Sequence, residues 1–140
     1  MSQGRWEHYS HPSDIGIRGI GSTREDAFAQ AALALTAVIT DPKRVEPDEP
    51  VEITCQEDDD ELLFYDWLSG LLYEMATRGM LFGRFDVQAV AGGLKATAYG
   101  EPVDVEKHEP AVEVKAATYS DLKVYQDDAG NWIAQCIVDV

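Results

Sequence analysis

Carboxylates are the groups best placed to do chemistry in this chain. His11-Pro12-Ser13-Asp14 sets an aspartate after a turn and directly before a strand-like run, so its carboxylate could project from the end of a sheet. The same aspartate could instead bond its own backbone within the turn. At the far end Asp139 is followed only by Val140, which puts a side-chain carboxylate beside the terminal one. Oxygen donors of this kind suit a hard cation such as Ca²⁺, Mg²⁺ or Mn²⁺. Spacing alone leaves open whether the two ends of the chain meet.

Other acidic clusters have simpler readings. Asp58-Asp59-Asp60 stands before a long apolar segment, where carboxylates cap free N–H groups and oppose the positive end of a helix dipole. A metal cluster is the competing account. Asp127-Asp128 falls in the turn Asp127-Asp128-Ala129-Gly130-Asn131 and reads as hairpin chemistry. A further constellation is His108-Glu109-Pro110, followed by Val112, Glu113, Val114, Lys115 and Ala116. With Val112, Val114 and Ala116 inward, Glu113 and Lys115 would share the outer face. They would form an exposed pair of little consequence, or present a cation beside a carboxylate-rich site. There is no phosphate-cradling glycine loop, zinc-type cysteine spacing, helical His-Glu-x-x-His or serine nucleophile elbow.

The elements that must position these residues are organised around Asp58 to Gly79. Asp66, Gly70, Glu74 and Thr77 fall on one narrow helical stripe, and Leu62, Leu63, Phe64, Tyr65, Trp67, Leu68, Leu71, Leu72, Tyr73, Met75 and Ala76 fill most of the remaining circumference. This predicts a helix buried on more than one side and contributing more to the core than any other segment. Asp58 and Glu61 suggest its cap, and Gly79 its stop. Upstream, Arg5–Tyr9 and Ile15–Arg18 read as strands, with Gly19 and Gly21 permitting a change of direction. Ser22-Thr23-Arg24-Glu25 has the form of a capping box opening a helix with Phe28, Ala32, Leu35 and Ile39 on one stripe, ending near Asp41-Pro42.

Val51–Cys55 alternates as a half-buried strand. Beyond residue 80 the pattern is β, with a Gly92-Gly93 hairpin and strands expected through Phe85–Ala89, Leu94–Ala98, Val103–Val105, Val112–Ala116, Leu122–Val124 and Trp132–Val140. The expected fold is α+β: a two-layer domain over residues 1–140, with two main helices on a mostly antiparallel sheet.

Acidic residues outnumber basic ones 26 to 11, a formal charge of −15. That balance argues against autonomous nucleic-acid binding, which gains affinity by neutralising phosphates. A basic protein partner, a bound cation or a salty cytoplasm would each fit. No apolar run is long enough for a membrane span, and the N-terminus has no signal-peptide core, so a cytoplasmic protein is expected. Cys55 and Cys136 sit in strand-like runs and read as reduced core residues.

Taken together these pieces resemble the archease family over nearly the whole chain. The resemblance rests on His11-Pro12-Ser13-Asp14, the Ser22–Phe28 helix start, the Leu62–Leu72 core around Trp67, and terminal Asp139-Val140. Its most specific part is His108-Glu109-Pro110 with Glu113-Val114-Lys115-Ala116 and Thr118-Tyr119. It implies a non-catalytic activator of the GTP-dependent, RtcB-type RNA-splicing ligase, promoting ligase guanylylation and repeated turnover in tRNA splicing. It further implies a divalent-cation site at Asp14, Asp139 and Val140, with Ca²⁺ the leading ion, and Lys115 and His11 as residues acting on the partner. One departure is Val112, where family members often carry threonine.

Two other classes remain to be weighed. A metal-dependent phosphoester hydrolase would use the same carboxylates to activate water and would turn over alone. A general chaperone or assembly module would hold clients on an exposed apolar groove, for which the helix and strand patterns leave no surplus apolar surface.

Overall fold

The computed structural model describes residues 4–12 and 14–140. Two antiparallel sheets and two long helices form the fold. Strand β1 (Arg5–His11) and β2 (Asp14–Gly21) make a hairpin, and β2 also pairs with the last strand, β8 (Trp132–Asp139). The other edge of β8 is shared by β6 (Ala116–Ala117) and β7 (Lys123–Gln126), completing a five-stranded sheet. The second sheet has the order β3 (Glu49–Gln56), β5 (Gly93–Pro102), β4 (Met80–Val90). The α+β class and the two main helices are as the sequence indicated, with the strands divided between two sheets.

Helix α1 (Arg24–Ile39), rather than the later helix, is the more enclosed of the two. Nine of its sixteen residues are buried, against six of nineteen in α2 (Asp60–Arg78). Its alanines explain this: Ala27, Ala31, Ala32 and Ala34 let backbone approach closely. Gly19 and Gly21 serve that approach and make no turn. They lie within β2, and a Cβ on Gly19 would stand 2.1 Å from the Ala27 carbonyl oxygen. The N-cap is Thr23, whose hydroxyl accepts from the Asp26 N–H at 3.0 Å, one residue later than a Ser22 capping box requires. Thr36 Oγ1 donates to the Phe82 carbonyl at 2.7 Å, joining α1 to β4.

Helix α2 adds the large side chains. Trp67 is fully buried, and its Nε1–H donates to the Phe28 carbonyl at 3.0 Å. Phe64 meets Phe28 at 5.1 Å between ring centroids. Leu62 and Tyr73 face outward, so the apolar circumference is narrower than the sequence suggests. The N-cap is Asp59, and no side chain caps it; Asp60 instead pairs with Arg24 at 2.7 Å. Gly79 closes the helix in the left-handed region, φ 63°.

Two expected strands do not form. Val103–Val105 gives way to the short helix α3 (Val105–His108), because Asp104 caps it, accepting from the Glu106 and Lys107 N–H groups at 3.1 and 3.2 Å. Residues 112–115 form no ladder. Ala116 already pairs with Asp139, so beyond the single bond from the Lys115 N–H to the Asp139 carbonyl the preceding residues run past the end of β8. Cys55 and Cys136 are buried and free, and burial pushes their thiols up to about 11 and about 12.

Candidate functional site

The candidate site is built by strand register. In the hairpin, His11 pairs with Asp14. Across the next ladder Ile15 pairs with Val138, and the same register carried one residue further sets Asp14 beside Asp139. On the other flank Ala116 pairs with Asp139, and the Lys115 N–H donates to the Asp139 carbonyl at 2.8 Å. Asp139 is thus the middle position at one end of the five-stranded sheet.

Alternation fixes the faces. Val138 is fully buried and Val140 packs against the core, so Asp139 between them is exposed on the opposite face. Thr118 ties β8 from its other side, donating through Oγ1 to the Ile137 carbonyl at 2.8 Å. Asp14 is half-buried and borders a cleft of about 320 Å³ with His8, Tyr9, Ser10, His11 and Ile15. The rim of that cleft is tied down where His8 Nε2 donates to the Ala34 carbonyl at 2.8 Å. Ser13, between His11 and Asp14, lies outside the described residues.

Lys115 is brought to the same sheet end but to a different side. The residue paired with Asp139 is Ala116; Lys115 borders a cleft with Glu113, Ser69, Tyr73 and Ala76, against α2. Glu113 and Lys115 therefore do share a surface, though without the strand that was to have aligned them.

Among the described residues no three His, Cys, Asp or Glu side chains converge on one point. Nor, among those residues, does a basic side chain come within ion-pair distance of Asp14 or Asp139. Like charges directly opposite in a ladder repel. Carboxylate oxygens are the donor type a hard cation takes, and Asp14 and Asp139 bring two such groups to the same sheet end.

Of the other acidic clusters, Asp58-Asp59-Asp60 does not supply the expected side-chain cap, since the N-cap Asp59 makes no such bond and Asp60 pairs with Arg24. Asp127 Oδ1 accepts from the Ala129 and Asn131 N–H groups, both at 2.9 Å, as hairpin-turn chemistry requires. One arrangement had no sequence signal. Glu101 Oε2 accepts from the Glu46 N–H at 2.8 Å and from His108 Nε2 at 2.9 Å, and Lys107 Nζ lies 2.8 Å away. His108 Nδ1 accepts from the Asp104 N–H at 2.9 Å, so the proton sits on Nε2. The Thr40 hydroxyl donates to the His108 carbonyl, and the Ala111 N–H to the Ile39 carbonyl at 2.8 Å. These bonds anchor the segment that leads to Lys115.

Residues 6–140 match the model of the archease protein family. The chain belongs to the archease family. Similar relatives include the protein archease of Thermococcus gammatolerans, 46% identical over 140 residues that cover 97% of this chain and 99% of the relative. That of Pyrococcus furiosus is 44% identical with the same coverage. Among solved structures, the solution structure of protein 1598 of Methanobacterium thermoautotrophicum superposes with a TM-score of 0.79 at 32% identity, covering 96% of this chain and 98% of that one. An archease from Thermotoga maritima, described as a possible chaperone, shares the fold with a TM-score of 0.59 at 18% identity, covering 96% of each chain. The archease fold thus supplies the sheet end that carries Asp14 and Asp139. No helix among the described residues is long and apolar enough to cross a membrane.

Proposed function

We propose that this archease is a cytoplasmic, non-catalytic activator of an RtcB-type, GTP-dependent RNA-splicing ligase, raising the guanylylation and turnover of the ligase in tRNA splicing. The observation that carries the reading is the β2–β8 register, which pairs Ile15 with Val138 and so brings Asp14 and Asp139 to the same sheet end in a chain of this family. Asp14, Asp139 and Val140 would hold a divalent cation, Ca²⁺ or else Mg²⁺ or Mn²⁺, which would supply positive charge at an otherwise anionic edge. His11 borders the Asp14 cleft, and Lys115 offers a cation on the neighbouring face; both are assigned to contact with the ligase. The charge of −15 supports a protein partner over RNA.

The test is ligation of tRNA halves by the cognate ligase under excess substrate, with GTP and Mn²⁺, following ligase guanylylation in parallel. Turnover should rise with the intact protein and fall back with Asp14→Ala or Lys115→Ala. No stimulation of a competent ligase would overturn the reading. Metal-dependent phosphoester hydrolysis by the isolated chain would favour the hydrolase instead.

A further inference from the structure

Tyr9 of β1 is held on three sides. Residues directly opposite in a ladder share a face, so His11 with Asp14, Tyr9 with Gly16 and Glu7 with Arg18 line the face turned away from α1. Across the next ladder Gly16 meets Ile137 and Arg18 meets Gln135, and alternation puts Asp139 on that face too. The Tyr9 ring lies across Gly16, where a Cβ would stand 2.3 Å from it. The Arg18 guanidinium sits 4.3 Å from the ring centroid. Arg18 is itself fixed, donating to Glu7 at 2.6 Å and to Gln135 at 2.8 Å. The third hold is the Tyr9 hydroxyl, which donates to Asp121 Oδ2 at 2.8 Å.

The backbone is bent to supply that acceptor. Between Ala117, paired with Val138, and Lys123, paired with Gln135, the chain leaves the ladder. Within this excursion Asp121 has φ 54°, a region aspartate tolerates better than most side chains. Its carboxylate turns back to β8, where the same Oδ2 also accepts from Gln135 Nε2 at 2.9 Å. Burial and then the Asp121 carboxylate raise the pKa of the Tyr9 hydroxyl, so it stays a donor. One side chain thus ties edge strand β1 to a segment 112 residues away, across β2 and β8.

The neighbours of Tyr9 on this face are the candidate site. His11 follows it by two residues on β1, Asp14 stands two residues from Gly16 on β2, and all three side chains border the cleft of about 320 Å³. Tyr9 has no place in the hydrophobic core. A ring fixed in this way is a rigid wall, and side chains beside a rigid wall have less freedom to lose when a ligand arrives.

We infer that Tyr9, clasped over Gly16 by Arg18 and Asp121, is a positioning residue that holds the Asp14 end of the hairpin ready for a divalent cation. The inference rests on the cation site proposed above.

The test is calorimetric titration of the isolated protein with Ca²⁺ and with Mn²⁺. Tyr9→Phe removes the hydroxyl and keeps the ring, whereas Gly16→Ala keeps Tyr9 and pushes its ring off the sheet. Asp121→Ala and Asp121→Asn remove the same charge, but the amide keeps an oxygen able to accept both bonds. Thr36→Val, which loses the α1–β4 bond, is the control for stability alone. Tyr9→Phe and Asp121→Ala should bind about fivefold more weakly, and Gly16→Ala about tenfold. Asp121→Asn should bind like wild type, and Thr36→Val should melt lower yet bind like wild type. Wild-type affinity in Tyr9→Phe and Asp121→Ala would overturn the inference. So would equal weakening in Asp121→Asn, which would trace the effect to charge, or in Thr36→Val, which would trace it to stability. Should Gly16→Ala not fold, Tyr9→Phe decides. A wild type that binds neither ion removes the cation site, and the clasp's role with it. No ligase enters the measurement, so failure of the activator reading leaves its result standing.

Discussion

Gly19 of β2 lies so close to Ala31 of α1 that a Cβ on it would stand 2.3 Å from the Ala31 nitrogen. The obstacle is main chain on both sides, with the Ala27 carbonyl oxygen at 2.1 Å, so no side chain can swing away. Gly19→Ala must therefore lift the more enclosed helix off its sheet. We expect a loss of about 3 kcal/mol in urea unfolding. A loss below about 0.5 kcal/mol would mean that α1 has room to shift.

The β2–β8 register brings Asp14 and Asp139 to the same end of one sheet, where repulsion between like charges directly opposite would cost roughly 0.2–1 kcal/mol. In chelator, Asp14→Asn should melt no lower than wild type, because it removes that repulsion. With Ca²⁺ or Mn²⁺ added, wild type should gain in melting temperature and Asp14→Asn should not. Calorimetry with and without the ion checks both halves; equal gains in the two proteins would move the cation elsewhere.

What the sequence made legible follows from which interactions are local. Gly79, the Phe28–Leu35–Ile39 stripe and the Asp127 turn depend on neighbours a few residues away, and each could be read directly. Gly19 could not: its role depends on a helix whose alanines offer no periodic signal of their own. Val112–Ala116 looked like a strand because alternation was present, but a strand also needs a partner, and β8 ends at Asp139. Asp14 and Asp139 stand out in the sequence, but their shared sheet end depends on β2 pairing with β8 across more than a hundred residues, which no local pattern encodes. Glu101 was missed because its partners, Glu46 and His108, come from a loop and a helix turn that only the fold brings together.

The thiols offer a separate check on the core. Burial holds Cys55 at about 11 and Cys136 at about 12, so neither carries appreciable thiolate near pH 8. An aromatic disulfide reagent should label the native protein only as fast as it opens, and both cysteines should react at once in denaturant. Rapid labelling of one thiol in native buffer would mark a local opening at its strand.

The acid limit of the fold should be set in part at Glu101. Lys107, then the Glu46 N–H and His108, hold its carboxyl at about 2, below the ordinary 4.5. A folded value lower than the unfolded one means that the contribution is complete above about 4.5 and is lost as the pH falls toward about 2. Glu101→Gln should therefore destabilise the protein most at neutral pH. Its urea midpoint should approach that of wild type as the pH drops through this window. The same variant should loosen segment 103–115, because His108 Nε2 would lose its charged acceptor, and amide exchange at Ala111 should quicken ahead of global unfolding. A wild-type-to-variant difference that stayed constant from pH 7 to pH 2.5 would show that the carboxylate's charge contributes nothing and that Glu101 acts by packing alone.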